Sequence, residues 1–267
     1  MSVPGSPSPE VARLASRRGF GRLEHTFLPR KEVNVQEKYR GLFIAASLTA
    51  TVCLATGGVL LWVLVAWWLA AYPLIFSALA IGGLLNSPNF RKKLGAQRLH
   101  LFERGLLLDR GAGRLFAVRW DQAVHYQETV QQVINYKGTK TPFNSAHNST
   151  LVAPNGTRVE ISSFFADYGT WLPLIAEAIA RAQAQQVWEA VREGQKVGYG
   201  PFSLDATGIS AERNGILPWS AVETIDVREG FVVVRQHGQP RAWALAEVKT
   251  VPNLLVFLTV ASNLYGG

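Results

Sequence analysis

Five histidines stand at positions 25, 100, 125, 147 and 237, and no two share the i, i+4 or similar spacing that would set paired imidazoles on a zinc or haem. His100 and His125 fall in strand-like stretches and would come within reach of each other only across a sheet; otherwise they are ordinary strand residues. The acids Asp121, Glu160, Asp167 and Glu177 are tied by no motif to a base or a metal partner. No nucleophile elbow, phosphate-cradling glycine loop or paired-aspartate motif occurs, and Gly111-Ala112-Gly113 reads as a hairpin turn. The one cysteine, Cys53, lies inside an apolar run, which excludes internal disulfides and cysteine-based metal sites and fits a reducing cytosol. The expectation is therefore a chain with no catalytic residues, no metal site and no cofactor, and so not an enzyme.

The chemistry that remains is electrostatic. Arg91, Lys92, Lys93 and Arg98 follow the apolar run, and each adds about 1 kcal/mol of attraction when held close to anionic lipid. Their plainer role is to set topology. Residues 1–40 carry eight basic and four acidic groups, among them Arg13, Arg17, Arg18, Arg22, Arg30 and Lys31. With Arg91–Lys93 they place +7 of the net +8 beside the apolar segment. That is the positive-inside pattern for two cytoplasmic flanks, and it makes nucleic acid an unnecessary partner.

The element that would position these charges runs from Gly41 to Phe90 without one Asp, Glu, Lys or Arg. Its apolar part, 41–85, is about twice the roughly 20 residues one helix needs to cross a hydrocarbon core. Two passes are expected, near 41–62 and 67–86, forming a transmembrane helical hairpin over 41–86. Trp62, Trp67, Trp68 and Tyr72 would stand as interface aromatics at the far side, with Pro73 starting the second helix. A turn at Gly57-Gly58 is the alternative and would give unequal helices of about 15 and 28 residues. Small residues on both spans suit close packing, and the absence of an ionisable group inside the run speaks against a transport path. The apolar run begins after a 40-residue polar lead and is too long for a signal peptide, so it stays as an anchor. The lead itself, 1–40, reads as basic and partly disordered, with a candidate amphipathic stretch on the membrane.

After Arg98 the period changes to short alternating or apolar runs, Leu99–Leu101, Leu106–Leu108, Leu115–Val118 and Val159–Ile161, which predict strands. Pro154-Asn155-Gly156 predicts a two-residue hairpin turn, and a helix is expected from a Thr170 cap to Gly194. From Phe202 the same order recurs in shorter form and ends in a helix starting at Val251 with Pro252 in its first turn. Gly105-Leu106 ahead of Trp120-Asp121-Gln122-Ala123-Val124 parallels Gly208-Ile209 ahead of Trp219-Ser220-Ala221-Val222, which implies duplication. The domains expected are 94–195 and a shorter 199–267.

The Gly-Leu and Trp-polar-x-Val pattern behind a hydrophobic hairpin resembles the pleckstrin-homology-like (PH-like) domains of small bacterial membrane proteins. Over about residues 10–265 the layout is similar to an uncharacterised family of such proteins from high-GC Gram-positive bacteria, best matched at Tyr199–Val222. The resemblance implies an α+β fold: an N-terminal two-helix transmembrane hairpin, then two PH-like antiparallel β domains, each closed by a C-terminal helix. The chain departs from a single-domain pattern in its long loop Tyr136–Asn148 and in lacking a Lys/Arg cluster between the first strands. The expected function is a non-enzymatic membrane protein with both termini cytoplasmic, presenting its domains to a protein partner or to its own copies, the loop with Lys137 and Lys140 being the contact surface. The alternative is binding of anionic membrane lipid by Arg91, Lys92, Lys93, Arg98 and the first domain.

Overall fold

In the computed structural model, residues 7–64, 67–86, 94–136 and 139–265 are described, with the side chains of 32–38, 40, 61, 64, 67–70, 83–86, 94, 129–136 and 139–147 left out. The fold is mixed α+β with antiparallel sheets and a C-terminal helix. It divides into a β-rich unit (residues 1–27, 98–109 and 113–267) and a helical unit (28–97 and 110–112).

The β-rich unit begins earlier than its strand pattern suggests. Helix α1 (Pro9–Arg17) is capped by Ser8, whose hydroxyl accepts from the Val11 amide, and strand β1 (Leu23–Phe27) follows. β1 pairs antiparallel with β2 (Arg98–Phe102), Thr26 opposite His100 and Phe27 opposite Leu99. With β3 (Gly105–Asp109) and β4 (Leu115–Arg119) they make a four-stranded sheet in chain order. Within the partly disordered lead that the sequence predicts, residues 9–17 and 23–27 thus supply a packed helix and an edge strand. α1 hides Val11 and Ala15, which meet Phe20, Phe102 and Leu107, and turns Arg13, Arg17 and Arg18 to solvent. That explains the run Leu106-Leu107-Leu108: the outer two face the main core, and Leu107 lies under α1.

A single 3-10 turn at Trp120–Gln122 leads to β5 (Val124–Tyr136), β6 (Thr139–Val152) and β7 (Arg158–Ser162), a three-stranded sheet, and then to helix α4 (Tyr168–Arg192). The second copy repeats the seven strands, the 3-10 turn and the closing helix, without α1 or the helical pair. β8 (Val197–Tyr199), β9 (Phe202–Leu204), β10 (Gly208–Ala211) and β11 (Gly215–Pro218) make four strands. A 3-10 turn at Trp219–Ala221, then β12 (Val222–Arg228), β13 (Phe231–Gln236) and β14 (Ala242–Glu247) make three, closed by α5 (Leu254–Tyr265).

The paired motifs do the same work in each copy. Trp120 Nε1 donates to the Phe102 carbonyl and Trp219 Nε1 to the Asp205 carbonyl, both at 2.9 Å, and each acceptor lies three residues before the motif glycine. The Trp120 amide donates to Arg104 O and the Trp219 amide to Thr207 O, each one residue before that glycine. A Cβ on Gly105 would stand 2.7 Å from Val118 O, and one on Gly208 would strike Leu217 O, so both positions exclude a side chain. Where Leu107 is covered by α1, its counterpart Ser210 has no such helix above it.

The copies differ at one connection. β8 and β9 are joined by Gly200-Pro201, with Tyr199 opposite Phe202. In the first copy the equivalent pair, Phe27 and Leu99, is separated in sequence by the entire helical unit. The helices are therefore an insertion in place of a two-residue turn, and they leave and re-enter the sheet at neighbouring strands.

In the helical unit α2 (Lys31–Leu64) and α3 (Trp67–Asn86) pack together, Gly58 lying against Pro73 and Leu74. Gly57 and Gly58 lie within α2, so the alternative turn at that pair is excluded. α2 starts ten residues before its apolar part, and Pro73 sits inside α3 rather than at its start. Among the described residues one stretch, Gly41–Leu60, is long and apolar enough to cross a membrane; Ala71–Gly82 is a shorter apolar stretch.

Three further expectations are revised. The 154–156 connection is not a two-residue turn: the Ala153 and Gly156 amides bond to Thr157 O and Ala153 O, Pro154 occupies the second turn position, and only Gly156 takes a positive φ of 77°. α4 begins at Tyr168 after Asp167 rather than from Thr170; it ends as expected at Gly194, where Gln195 N bonds Ala190 O and Gly194 N bonds Val191 O. α5 begins after Asn253, so Pro252 lies outside it.

Candidate interaction surfaces

Both copies feed one continuous apolar core, from Leu99, Leu151 and Trp171 in the first to Leu204, Val234 and Phe257 in the second, and α4 packs on α5. A polar seam fixes the junction. Asn253, at φ 47°, precedes α5; its Oδ1 accepts from the His125 amide at 2.7 Å and its own amide donates to His125 O at 2.8 Å. Its Nδ2 donates to Ala123 O and to Gln183 Oε1. Gln183 Nε2 in turn donates to Trp120 O and Ala123 O. Sequence reasoning passed over both residues; the signal was an Asn directly before an apolar helical run.

The described histidines do not converge. His100 Nδ1 lies 3.0 Å from Thr26 Oγ1, a buried pair joining β2 to β1. His125 Nε2 lies 2.7 Å from Ser149 Oγ in the other sheet. Burial lowers the pKa of each to about 4; at His100 the Asp109 carboxylate opposes this and Arg98 adds to it. Both are neutral structural residues of the core at neutral pH. His25 lies beside Phe27, and His237 is exposed. Asp121 is held by Arg119, while Glu160, Asp167 and Glu177 are exposed on separate elements. Among the described residues no three His, Cys, Asp or Glu side chains group as metal ligands.

Of the expected lipid contacts, Arg91, Lys92 and Lys93 lie outside the described residues, and Arg98 opens β2 opposite Asp109. Arg110 and Arg114, in the β3–β4 turn, are exposed. Trp62 and Tyr72 are exposed on α2 and α3; Trp67 and Trp68 open α3, and their side chains are outside the described set.

The expected loop Tyr136–Asn148 is instead a β-ribbon. β5 and β6 stay paired from Val124–Val152 to Tyr136–Thr139, while β7 joins them only as far as Asn148. Residues 129–136 and 139–147 thus form a two-stranded arm beyond the sheet, where the second copy turns tightly at Arg228-Glu229-Gly230-Phe231. Lys140 is on the arm, and Lys137 falls outside the described residues. At the other end of β6, an open cleft of about 290 Å³ lies between β4 and the 153–157 turn, with Arg18 on its rim.

This architecture defines a duplicated seven-stranded module closed by a helix, with a helical pair inserted in the first hairpin of the first copy. The chain matches the Family of unknown function (DUF6585) over residues 13–264 and belongs to it. No curated protein and no solved structure matches it.

Proposed function

We propose that the protein is a non-enzymatic integral membrane protein whose helical insert spans the bilayer twice and whose paired modules, PH-like in their four-plus-three strand order and closing helix, present an interaction surface to a protein partner or to other copies of the chain. The observation that carries this reading is the insertion itself. Because Phe27 and Leu99 are cross-strand neighbours, an insert that enters the membrane must return to the side it left, which requires an even number of passes. Two apolar helices in contact, α2 and α3, supply them. The charge distribution supports cytoplasmic modules.

The arm is the surface that most needs a partner, since a two-stranded ribbon alone is marginal in water and leaves both edges free. The test is in-cell crosslinking of the full chain with residues 129–147 deleted. Loss of the crosslinked partners or of the self-crosslinked species is expected; retention of all of them refutes the reading.

Anionic lipid contact is a second reading, favoured by the exposed Arg110 and Arg114 of the β3–β4 turn. It predicts that the β-rich unit freed of its helices sediments with anionic vesicles at low salt and is released as salt rises.

A further inference from the structure

The two copies serve as controls for each other, and they differ beside the last strand of the four-stranded sheet. β4 ends its sheet, so its outer edge is paired to no strand of that sheet. Next to it is the cleft of about 290 Å³, walled by Phe116 and Ala117 and rimmed by Gln122, Asn155, Thr157 and Arg18. In the second copy the β10–β11 turn reaches across to β14, Asn214 Nδ2 donating to the Trp243 carbonyl. Arg18 caps the C-terminus of α1, an element the second copy lacks. Its side chain is exposed and forms no ion pair among the described residues, and no acidic residue lines the cleft.

We propose that this cleft binds an extended peptide segment bearing an acidic side chain, which lies along β4 as an added strand with its carboxylate on Arg18. The proposal rests on the reading of the protein as an interaction module and names one ligand class for it. Three features favour a peptide over a small anion or a phospholipid headgroup. A free strand edge offers main-chain hydrogen bonds that only another backbone can use in series. Phe116 and Ala117 give the cleft an apolar wall for side chains on one face of the strand. The cation is a single guanidinium, whose planar fork matches one carboxylate, with no second Lys or Arg in the lining to meet a phosphate from another direction. The cleft borders Leu115, Phe116 and Ala117 of β4, so the bound segment pairs along that stretch.

The test is selection of phage-displayed random dodecamers on the full chain in neutral-lipid nanodiscs, then anisotropy titrations with the recovered peptides. Peptides with Asp or Glu inside a β-branched or aromatic run are expected. Their affinity should fall at least tenfold for Arg18→Glu and for the peptide with its acid changed to amide. It should stay within twofold for Arg13→Glu, an exposed change one helical turn away. Arg18→Gln, with circular dichroism on both variants, separates loss of charge from misfolding.

Recovery of no acidic peptide, or equal affinity for wild type and Arg18→Glu, overturns the proposal. Loss of binding to phosphatidylglycerol vesicles in Arg18→Glu, with no peptide bound by wild type, reassigns the cleft to a headgroup and also overturns it. The parent reading fails separately: partners lost on deleting 129–147 while Arg18→Glu is silent remove the cleft and leave the interaction role standing.

Discussion

Replacing residues 28–98 by Gly-Pro converts the first copy into the connectivity of the second, since Phe27-Gly-Pro-Leu99 reproduces Tyr199-Gly200-Pro201-Phe202 with its pair of buried residues. The excised chain should be a soluble, folded β unit. A chain of residues 94–267, which drops α1 and β1, should not. That truncation removes fully or nearly fully buried Val11, Phe20 and Phe27. At about 1.5–3 kcal/mol each, they amount to roughly 5–9 kcal/mol, which rivals the 5–15 kcal/mol that holds a typical domain. It also bares Leu107 and Phe102 and leaves buried His100 without Thr26. Shortening the connection from about 70 residues to two lowers loop-closure entropy by up to about 3 kcal/mol in addition. Gel filtration, far-ultraviolet circular dichroism and urea unfolding followed by tryptophan fluorescence read the outcome. A cooperative transition for the Gly-Pro chain and aggregation or a broad transition for 94–267 are expected. Equal stability of the two, or failure of the Gly-Pro chain to fold, would refute the account of β1 as the missing strand.

Three further outcomes follow from the same contacts, all measurable on that excised unit by urea denaturation. Trp120→Phe and Trp219→Phe each remove one indole hydrogen bond to a carbonyl and should cost similar amounts, about 1–3 kcal/mol, if the copies are equivalent. Asn253→Ala strips the seam of its side-chain bonds and puts alanine at a positive φ, for a loss of about 3–5 kcal/mol; Asn253→Gly relieves the backbone part and should recover about 1 kcal/mol. Acidification should destabilise. With a folded pKa of about 4 against 6.5 unfolded, the unfolded chain binds more protons between these values, so the full stability present above pH 6.5 declines toward pH 4 by about 3 kcal/mol for His125, and His125→Gln should flatten that slope.

The second copy could be followed in the sequence nearly strand by strand because its pairings are local: β8 to β14 are joined by short turns, and Gly208 and Trp219 mark them. In the first copy β2, β3, β4 and β7 are legible in the same way, but β1 is not. β1 and β2 pair across the helical insert, and no periodicity within residues 23–27 reports a partner so distant in sequence. α1 hid for another reason: its arginines face water and only Val11 and Ala15 are well buried, so a packed helix reads as a polar lead. The ribbon does not read as strands because Gln, Asn, Ser and Thr interrupt its alternation. The seam escaped because its members, Trp120, Gln183 and Asn253, come from three elements that meet only in the folded unit.

The most direct test of the central claim labels single cysteines at Ser2, Ala70 and Ser262 in a Cys53→Ser background, in intact cells and in inside-out vesicles. Labelling of Ser2 and Ser262 only in inside-out vesicles, with Ala70 reached from outside, is the predicted result. Labelling of Ser262 in intact cells, or of Ala70 from the same side as Ser262, would contradict a two-span insert with cytoplasmic modules.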